Sequence, residues 1–233
     1  MCYYLIKCNI SSVRMRGLGD DKELHRIYIA ARRFTAAALL GGRGHQASCW
    51  MKAMRKLMAL REEKMDRYQP IIDELEKLRG EFQKVLDVGC GKGELLLEIA
   101  ERFGVNCTGV DKKSSKISSA RSAAIRKGLG SRLSFQAQKA EEIELEDESF
   151  DVVVSAFTVH ELDDQLRGIK EIYRVLKKGG TFICLDWGKG ARVVPWQHPL
   201  SLEEMKELCE KANFKEVSVR PLDGKRLLCV ARR

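Results

Sequence analysis

Residues 85–94 read Val-Leu-Asp-Val-Gly-Cys-Gly-Lys-Gly-Glu, and this stretch decides the predicted fold. Its first half predicts a short buried strand, while residues 94–102 carry apolar side chains at helical spacing. Glycines at alternate positions lie between the strand and the helix. A glycine turn of this kind predicts a ligand site, because backbone N–H groups without neighbouring Cβ atoms can approach a ligand closely.

The spacing of the glycines and the acid before them distinguish between ligand classes. The dinucleotide fingerprint Gly-x-Gly-x-x-Gly, counted from Gly89, requires a glycine where this chain has Glu94. Asp87 stands at the end of the strand, where it would repel a pyrophosphate and attract an ammonium or sulfonium group. The pattern Gly-x-x-x-x-Gly-Lys-Ser/Thr does not occur. The stretch therefore predicts a cationic nucleotide cofactor that bears an amino acid.

A second acid supports this interpretation. Residues 105–110 form the next apolar run, which leads to Asp111, 22 residues beyond Gly89. An acid at the tip of the second strand of an open α/β sheet is placed to accept hydrogen bonds from both ribose hydroxyls. The alternative role for Asp111 is to cap the helix that follows.

With Asp87, Gly89, Gly91, Gly93 and Asp111 in this order, the sequence resembles the class I, Rossmann-like S-adenosylmethionine-dependent methyltransferases. It is most similar to the small methyltransferase-domain group related to the ubiquinone and menaquinone biosynthesis methyltransferases. The resemblance implies S-adenosylmethionine as the cofactor and S-adenosylhomocysteine as the product. It also implies in-line methyl transfer to a small-molecule acceptor. An alternative for the three glycines is a strand–helix turn in which they serve packing alone.

Strands and helices alternate regularly from Lys84 onward, which predicts an α/β fold with a doubly wound, mostly parallel sheet and helices on both faces. The resemblance implies seven strands in the order 3-2-1-4-5-7-6, with the last strand antiparallel. The predicted strands are 84–88, 105–110, 132–136, 151–156, 181–186, 217–220 and 227–230, and the predicted helices are 71–78, 93–103, 114–127, 162–176 and 201–212.

The resemblance also assigns cofactor contacts. It implies that the glycine turn, including Cys90, holds the methionine part and that Asp111 and Lys112 lie beside the ribose. The position of the acid that contacts adenine in related enzymes is occupied by Lys139, which cannot accept a hydrogen bond when charged. Glu141, or the backbone near Ala140, is predicted to replace that acid. The alternative for Glu141 is a solvated helix face.

Candidate residues for the sulfonium and the acceptor follow the fourth and fifth strands. Ala156 and Phe157 are expected to border the sulfonium. His160 is a candidate general base, because the reference pKa of histidine, near 6.5, suits neutral pH; alternatively it caps the helix 162–176. Asp186 is expected to orient an acceptor or to serve local packing. No second histidine occurs at metal-ligand spacing, so no metal site is predicted.

An aromatic residue and a long loop complete the predicted acceptor side. Trp187 follows the fifth strand and offers an aromatic wall for a flat or cationic group. Residues 188–199 form an irregular loop that contains Pro195, Trp196 and His198 and is long enough to act as a lid.

The charge of the chain is concentrated at its N-terminus. The formal net charge is +9, and residues 1–61 hold 12 Lys and Arg against 3 Asp and Glu, which leaves 30 of each sign downstream. We therefore predict a basic N-terminal extension over 1–50 and a methyltransferase domain over 51–233. The extension is a disordered tail, a nucleic-acid arm, a transit peptide or the product of a start codon placed too far upstream. Within it, 23–40 could form a basic helix.

Three other features of the sequence concern packing and cellular location. Met51, Met54 and Met58 have the spacing of a helical packing face. Eight cysteines occur without a Cys-x-x-Cys pattern, and Cys107, Cys184 and Cys229 have apolar neighbours, which predicts buried reduced thiols and a cytoplasmic location. No apolar run is long enough to span a membrane.

Three alternative functions remain open from the sequence. An RNA-modifying methyltransferase would use the basic arm to bind phosphates, although residues 155–158 lack the Asn/Asp-Pro-Pro-Tyr/Phe motif that base-modifying relatives often carry. A non-catalytic scaffold would bind the cofactor without transferring methyl, and an NAD-dependent oxidoreductase would bind a different cofactor. We expect a small-molecule acceptor, a monomer or homodimer, and no nucleic-acid partner unless residues 1–61 bind one.

Overall fold

The computed structural model describes residues 67–191, Val194 and residues 197–233. The predictions for the extension 1–50, its helix 23–40 and the methionine face at 51–58 lie outside the described residues, as do Pro195 and Trp196 of the predicted lid. Tyr68–Arg233 forms one compact unit. Among the described helices, none combines the length and the apolar character needed to cross a bilayer.

Seven strands form one sheet in the order β3-β2-β1-β4-β5-β7-β6, as predicted. The first five strands pair in parallel, and β7 pairs antiparallel with both β5 and β6. The strands are β1 (Lys84–Val88), β2 (Asn106–Asp111), β3 (Leu133–Ala137), β4 (Phe150–Ala156), β5 (Leu176–Trp187), β6 (Lys215–Pro221) and β7 (Arg226–Arg232).

The helices agree with the predicted segments to within three residues at each end. They are α1 (Gln69–Lys77), α2 (Glu94–Phe103), α3 (Ser114–Arg126), α4 (Gln165–Val175) and α5 (Leu202–Lys211), and a 3₁₀ turn occupies Val159–Glu161. The carboxylate of Asp164 caps α4 by accepting the Arg167 N–H at 2.9 Å. The alternative in which His160 caps this helix is therefore wrong.

Side chains of the central strands alternate between the two faces of the sheet. Val152 and Val154 belong to a core that also contains residues of α1, α2 and α3, whereas Val153 belongs to a second core with α4 and α5. These three valines are at most 2% exposed. Helices therefore cover both faces, which is the doubly wound arrangement that the apolar runs predict.

β5 begins five residues earlier than predicted. Leu176 already pairs with Phe150, and the register then shifts before Val152 pairs with Thr181. Lys177-Lys178-Gly179-Gly180 has the composition of a turn, which is why the sequence places the strand after it. The pairing of Leu176 depends on β4 beside it, and no local pattern encodes that contact.

Gly109 in β2 allows α2 to pack closely on the sheet. A Cβ at this position would lie 2.8 Å from Cys90 Sγ, 2.8 Å from Phe135 Cδ1 and 2.9 Å from Leu96 Cδ1. Such distances are shorter than van der Waals contact, so any larger side chain would force the layers apart.

We predict that Gly109→Ala lowers the free energy of unfolding by about 1–3 kcal/mol, the usual cost of overpacking a core. Denaturant unfolding monitored by circular dichroism measures the change. Gly130→Ala is the matched control, because a Cβ there would meet only Ile125 Cγ1 at 3.9 Å. Equal effects of the two substitutions would contradict this account of the packing.

Candidate functional site

The predicted site residues lie together at one edge of the sheet. β1 has β2 and β3 on one side and β4 and β5 on the other. The direction in which successive strands are added to the sheet therefore reverses at β1. Because α2 and α4 pack on opposite faces, the loops that follow β1 and β4 diverge and leave a crevice, the usual ligand site of open α/β sheets. The candidates from Asp87 to Asp186 lie in or directly after the parallel strands at this carboxyl edge.

The glycine loop after β1 uses its N–H groups within the protein. The N–H groups of Gly89 and Cys90 both donate to Val110 O, at 2.8 and 2.9 Å. The Gly91 N–H donates to Asp111 Oδ2 at 3.0 Å. The prediction that these groups are turned toward a ligand is therefore wrong, because they hold the loop against the end of β2.

The three glycines of the loop have different structural roles. A Cβ on Gly89 would lie 2.7 Å from Thr158 Cβ and closer still to its hydroxyl and methyl groups, and a Cβ on Gly93 would lie 2.9 Å from the Phe135 ring. A Cβ on Gly91 would meet nothing within 4 Å. Packing inside the protein thus accounts for Gly89 and Gly93, and Gly91 alone leaves open space beside the loop.

Asp87 is a buried carboxyl group beside this loop. It is 2% exposed, and within the described part of the chain its Oδ1 atom has no hydrogen-bond partner. Burial, reinforced by the charge of Asp111, raises the pKa of Asp87 from 3.8 to about 8. Burial and the same two carboxylates raise the pKa of the Cys90 thiol, so Cys90 remains protonated at neutral pH.

Asp111 organises the end of β2. Its Oδ1 atom accepts the Lys113 N–H at 2.9 Å, and its Oδ2 atom accepts the Gly91 N–H and lies 3.3 Å from Lys116 Nζ. Asp111 therefore fixes the glycine loop and the residue that precedes α3. It does not cap α3, because the N-cap of that helix is Lys113 and no side chain makes a capping bond, so the alternative role considered for Asp111 is wrong. Lys112 is exposed beside it. Lys116 was not predicted from the sequence; the signal for it is a lysine five residues after a strand-terminal acid.

The segment after β3 contains the residues predicted to lie near adenine. Lys139 is exposed and forms an isolated β-bridge with Glu142, whereas Ala140 is 8% exposed. Glu141 Oε1 accepts the Asp163 N–H at 3.0 Å. Glu141 therefore joins this segment to the chain that precedes α4, and it is not part of a solvated helix face.

His160 and Asp186 form a buried pair. His160 Nδ1 lies 2.5 Å from Asp186 Oδ1, and the two residues are 2% and 1% exposed. Asp186 also accepts the N–H groups of His160 at 3.2 Å and of Trp187 at 2.7 Å. Because an ionised carboxylate only accepts hydrogen bonds, we assign the proton of a neutral imidazole to Nδ1, which leaves a lone pair on Nε2.

Aromatic side chains lie at the ends of β4 and β5. The ring centroids of Phe157 and Trp187 are 4.9 Å apart, and the rings are tilted by 40°. Phe157 has a φ angle of +54°, which is rare for a non-glycine residue and frequent at functional sites. Its N–H donates to Leu185 O at 2.8 Å, so the strained turn is tied to β5.

Residues 197–198, near the end of the predicted lid, are hydrogen-bonded to the 3₁₀ turn. The His198 N–H donates to His160 O at 2.8 Å, and the Gln197 side chain donates to Glu161 Oε1 at 3.1 Å. The Gln165 side chain donates to His198 O at 3.0 Å. These contacts hold residues 197–198 close to the His160–Asp186 pair.

The family model for a methyltransferase domain matches residues 81–229. This chain belongs to that family. It is similar to the ubiquinone/menaquinone biosynthesis C-methyltransferase UbiE of Geotalea daltonii, with 33% identity over 117 residues that cover 49% of this chain and 49% of the relative. The matched region thus spans about half the length of the relative.

Solved structures give the same assignment. A SAM-dependent methyltransferase from Aquifex aeolicus superposes with a TM-score of 0.60 at 25% identity, covering 69% of this chain and 88% of that one. A putative sarcosine dimethylglycine methyltransferase from Galdieria sulphuraria has a TM-score of 0.65 at 17% identity, covering 74% of this chain and 87% of that one, and supports the fold alone. The chain is thus a member of the methyltransferase-domain family, and it is similar to S-adenosylmethionine-dependent methyltransferases.

The residues at the crevice fit this cofactor. S-adenosylmethionine carries a positive sulfonium and an amino-acid group, and the site offers a buried carboxylate oxygen on Asp87 together with open space beside Gly91. A polyphosphate would need free backbone donors, but the N–H groups of Gly89, Cys90 and Gly91 are already used. The site therefore fits a cationic ligand better than an anionic one.

We predict that Gly89→Ala destabilises the fold by about 1–3 kcal/mol more than Gly91→Ala does. Both positions have positive φ, so the backbone cost of alanine is shared, but only the Gly89 substitution collides with Thr158. Urea unfolding of the two variants measures the difference. Identical losses of stability would refute the distinction between a packing glycine and an open one.

Proposed function

We propose that this enzyme methylates a small molecule bound over the carboxyl ends of β4 and β5 and that His160 accepts the proton of the nucleophile. The observation that carries this proposal is the buried contact between His160 Nδ1 and Asp186 Oδ1 at 2.5 Å. Burying two ionisable groups costs free energy, so such a pair at a crevice is a candidate for chemistry.

The carboxyl edge offers residues for each part of the cofactor. The Asp87 carboxylate would hold the cationic amino-acid part, and the absence of a side chain at Gly91 would let that part lie against the loop. Asp111 retains lone pairs for ribose hydroxyls while its present donors keep it in place. The remaining proposed contacts are Gly89, Cys90 and Gly93 in the loop, Lys112 beside the ribose, Ala140 and Glu141 near adenine, and Ala156 and Phe157 near the sulfonium.

Bound S-adenosylmethionine supplies a methyl group on a good leaving group, so the protein's main contribution is alignment. Holding a nucleophile in line with the methyl carbon and excluding water can contribute about 7–11 kcal/mol of the barrier. The turn that carries His160 and the segment at residues 197–198 are bonded to each other, which gives this side of the crevice a fixed shape.

The His160–Asp186 pair would remove the proton of the nucleophile. A lone pair on His160 Nε2 can accept a proton from an O–H or activated C–H nucleophile, while Asp186 keeps the ring oriented and stabilises the imidazolium that forms. Asp186 thus acts through His160 as a positioning residue. Its carboxylate already accepts three donors, which leaves it poorly placed to bind an acceptor directly.

We infer a planar acceptor with an acidic proton. The adjacent rings of Phe157 and Trp187 favour a flat molecule, and the relative from Geotalea daltonii is a ubiquinone/menaquinone biosynthesis C-methyltransferase. The buried free thiols at Cys107, Cys184 and Cys229 support a reducing compartment such as the cytoplasm.

We predict that wild-type protein transfers labelled methyl from S-adenosylmethionine to planar acceptors with phenolic or enolic protons. His160→Gln should lower that rate by about 10²–10⁴, the usual contribution of a general base. Binding of S-adenosylhomocysteine, measured by isothermal titration calorimetry, should not change. His198→Gln is the control, because His198 is exposed and the hydrogen bonds described above are made by its backbone. A wild-type rate in His160→Gln would remove this residue from the mechanism.

We predict that cofactor affinity falls as the pH drops below 8. The pKa of Asp87 is raised to about 8, so the carboxyl binds a proton below that pH, whereas a cationic cofactor requires the carboxylate. Affinity should fall by up to about tenfold per pH unit, and binding at pH 7 should release a proton. Calorimetry in buffers of different ionisation enthalpy measures that proton.

Asp87→Asn is the control for this prediction and should remove the proton release. The same linkage also affects stability without cofactor. Between about pH 4 and pH 8 the folded protein holds a proton on Asp87 that the unfolded chain has lost, so this residue's contribution to stability falls as the pH rises through that window. Cofactor affinity that is constant across this range would show that Asp87 does not face the cation.

A further inference from the structure

The ends of β1 and β4 are joined by side-chain hydroxyl groups at the floor of the crevice. The register between these strands ends at Asp87 and Val154. Beyond that point the Ser155 hydroxyl donates to Val88 O at 3.0 Å. Thr158 Oγ1 lies 3.4 Å from Gly89 O and 3.2 Å from Ala156 O. Hydroxyl groups thus continue the connection where the backbone pairing stops.

Thr158 fills the space that the missing side chain of Gly89 leaves. The Cβ, hydroxyl and methyl atoms of Thr158 all lie where a Cβ on Gly89 would have to go. The Gly89 N–H is bonded to Val110 O on the other side. The glycine loop is therefore held between β2 and Thr158, and a displacement of the loop must displace Thr158 as well.

Thr158 also begins the 3₁₀ turn that carries His160. It occupies the N-cap position of Val159–Glu161, where a threonine hydroxyl usually accepts a backbone N–H, but its side chain makes no capping bond. The hydroxyl reaches the carbonyls in the crevice instead. The backbone O of Thr158 accepts the Glu161 N–H at 2.9 Å, so the residue contacts the loop with its side chain and the turn with its main chain.

We propose that Thr158 is a positioning residue that couples the cofactor loop to the acceptor side of the site. A cofactor lying against Gly91 would restrain the loop, and the contact of the Thr158 hydroxyl with Gly89 O would carry that restraint to the turn that holds His160. The cofactor would then bind first and organise the site for the acceptor. This inference rests on the proposed function, since it takes the loop as the cofactor site and His160 as the base.

Hydrogen–deuterium exchange with S-adenosylhomocysteine tests the coupling. The readout is the ratio of amide protection with and without saturating ligand, for residues 88–94 and for residues 157–162. In the wild type both segments should gain protection. Thr158→Val keeps the shape of the side chain and removes the hydroxyl. It should keep the gain at 88–94 and reduce the gain at 157–162 by about three- to tenfold, the range expected for one neutral hydrogen bond.

Two further variants make the result specific. Thr158→Ser keeps the hydroxyl and should retain most of the wild-type gain. Thr108→Val is the matched control, because it removes another inter-strand hydroxyl contact, at 3.0 Å to Ser134 Oγ, away from the crevice. A wild-type gain at both segments in Thr158→Val would overturn the proposal. Wild-type protein that binds the ligand without protecting residues 88–94 would instead overturn the cofactor site on which the proposal rests.

Discussion

The glycine loop after β1 is restrained on two sides, and the rest of the site depends on this restraint. Val110 O accepts two N–H groups of the loop, and Asp111 accepts a third. Thr158 fills the space above Gly89 from the opposite direction. The loop therefore has one conformation in which the strands, α2 and the carboxyl edge fit together. The space beside Gly91 is what this arrangement leaves for a ligand.

The same restraint determines the charge that the site favours. Once its N–H groups are used internally, the loop offers few donors to a phosphate. Two carboxylates, Asp87 and Asp111, end adjacent strands and are 2% and 6% exposed. Lys116 lies beside Asp111, whereas Asp87 Oδ1 has no hydrogen-bond partner within the described residues. A cationic ligand would favour the ionised form of Asp87, whose charge is otherwise unfavourable in this buried position. This agrees with the methyltransferase family of the chain.

The proposed acceptor side is built from segments that are distant in sequence. Asp186 is the second-last residue of β5, and His160 lies in the 3₁₀ turn after β4, 26 residues earlier. Residues 197–198 bond to the same turn. Methyl transfer from a sulfonium needs a fixed line of approach more than it needs strong acids or bases. A crevice of fixed shape that contains the His160–Asp186 pair suits such a reaction. The proposed base, His160, is required only if the nucleophile carries a proton.

Local patterns in the sequence determined the order of elements and indicated a cationic nucleotide cofactor, and the resemblance to methyltransferases implied the strand order of the sheet. Apolar runs, helical spacing and glycine turns are properties of neighbouring residues, and the acids at the ends of β1 and β2 follow directly from them. Only the tertiary structure decided which glycine leaves open space, that the N–H groups of the loop are already used, and that Asp186 holds His160. The early start of β5 and the contact between Thr158 and Gly89 also depend on partners from other strands. Such contacts join residues tens of positions apart, and no spacing rule connects them, because they arise from packing in three dimensions.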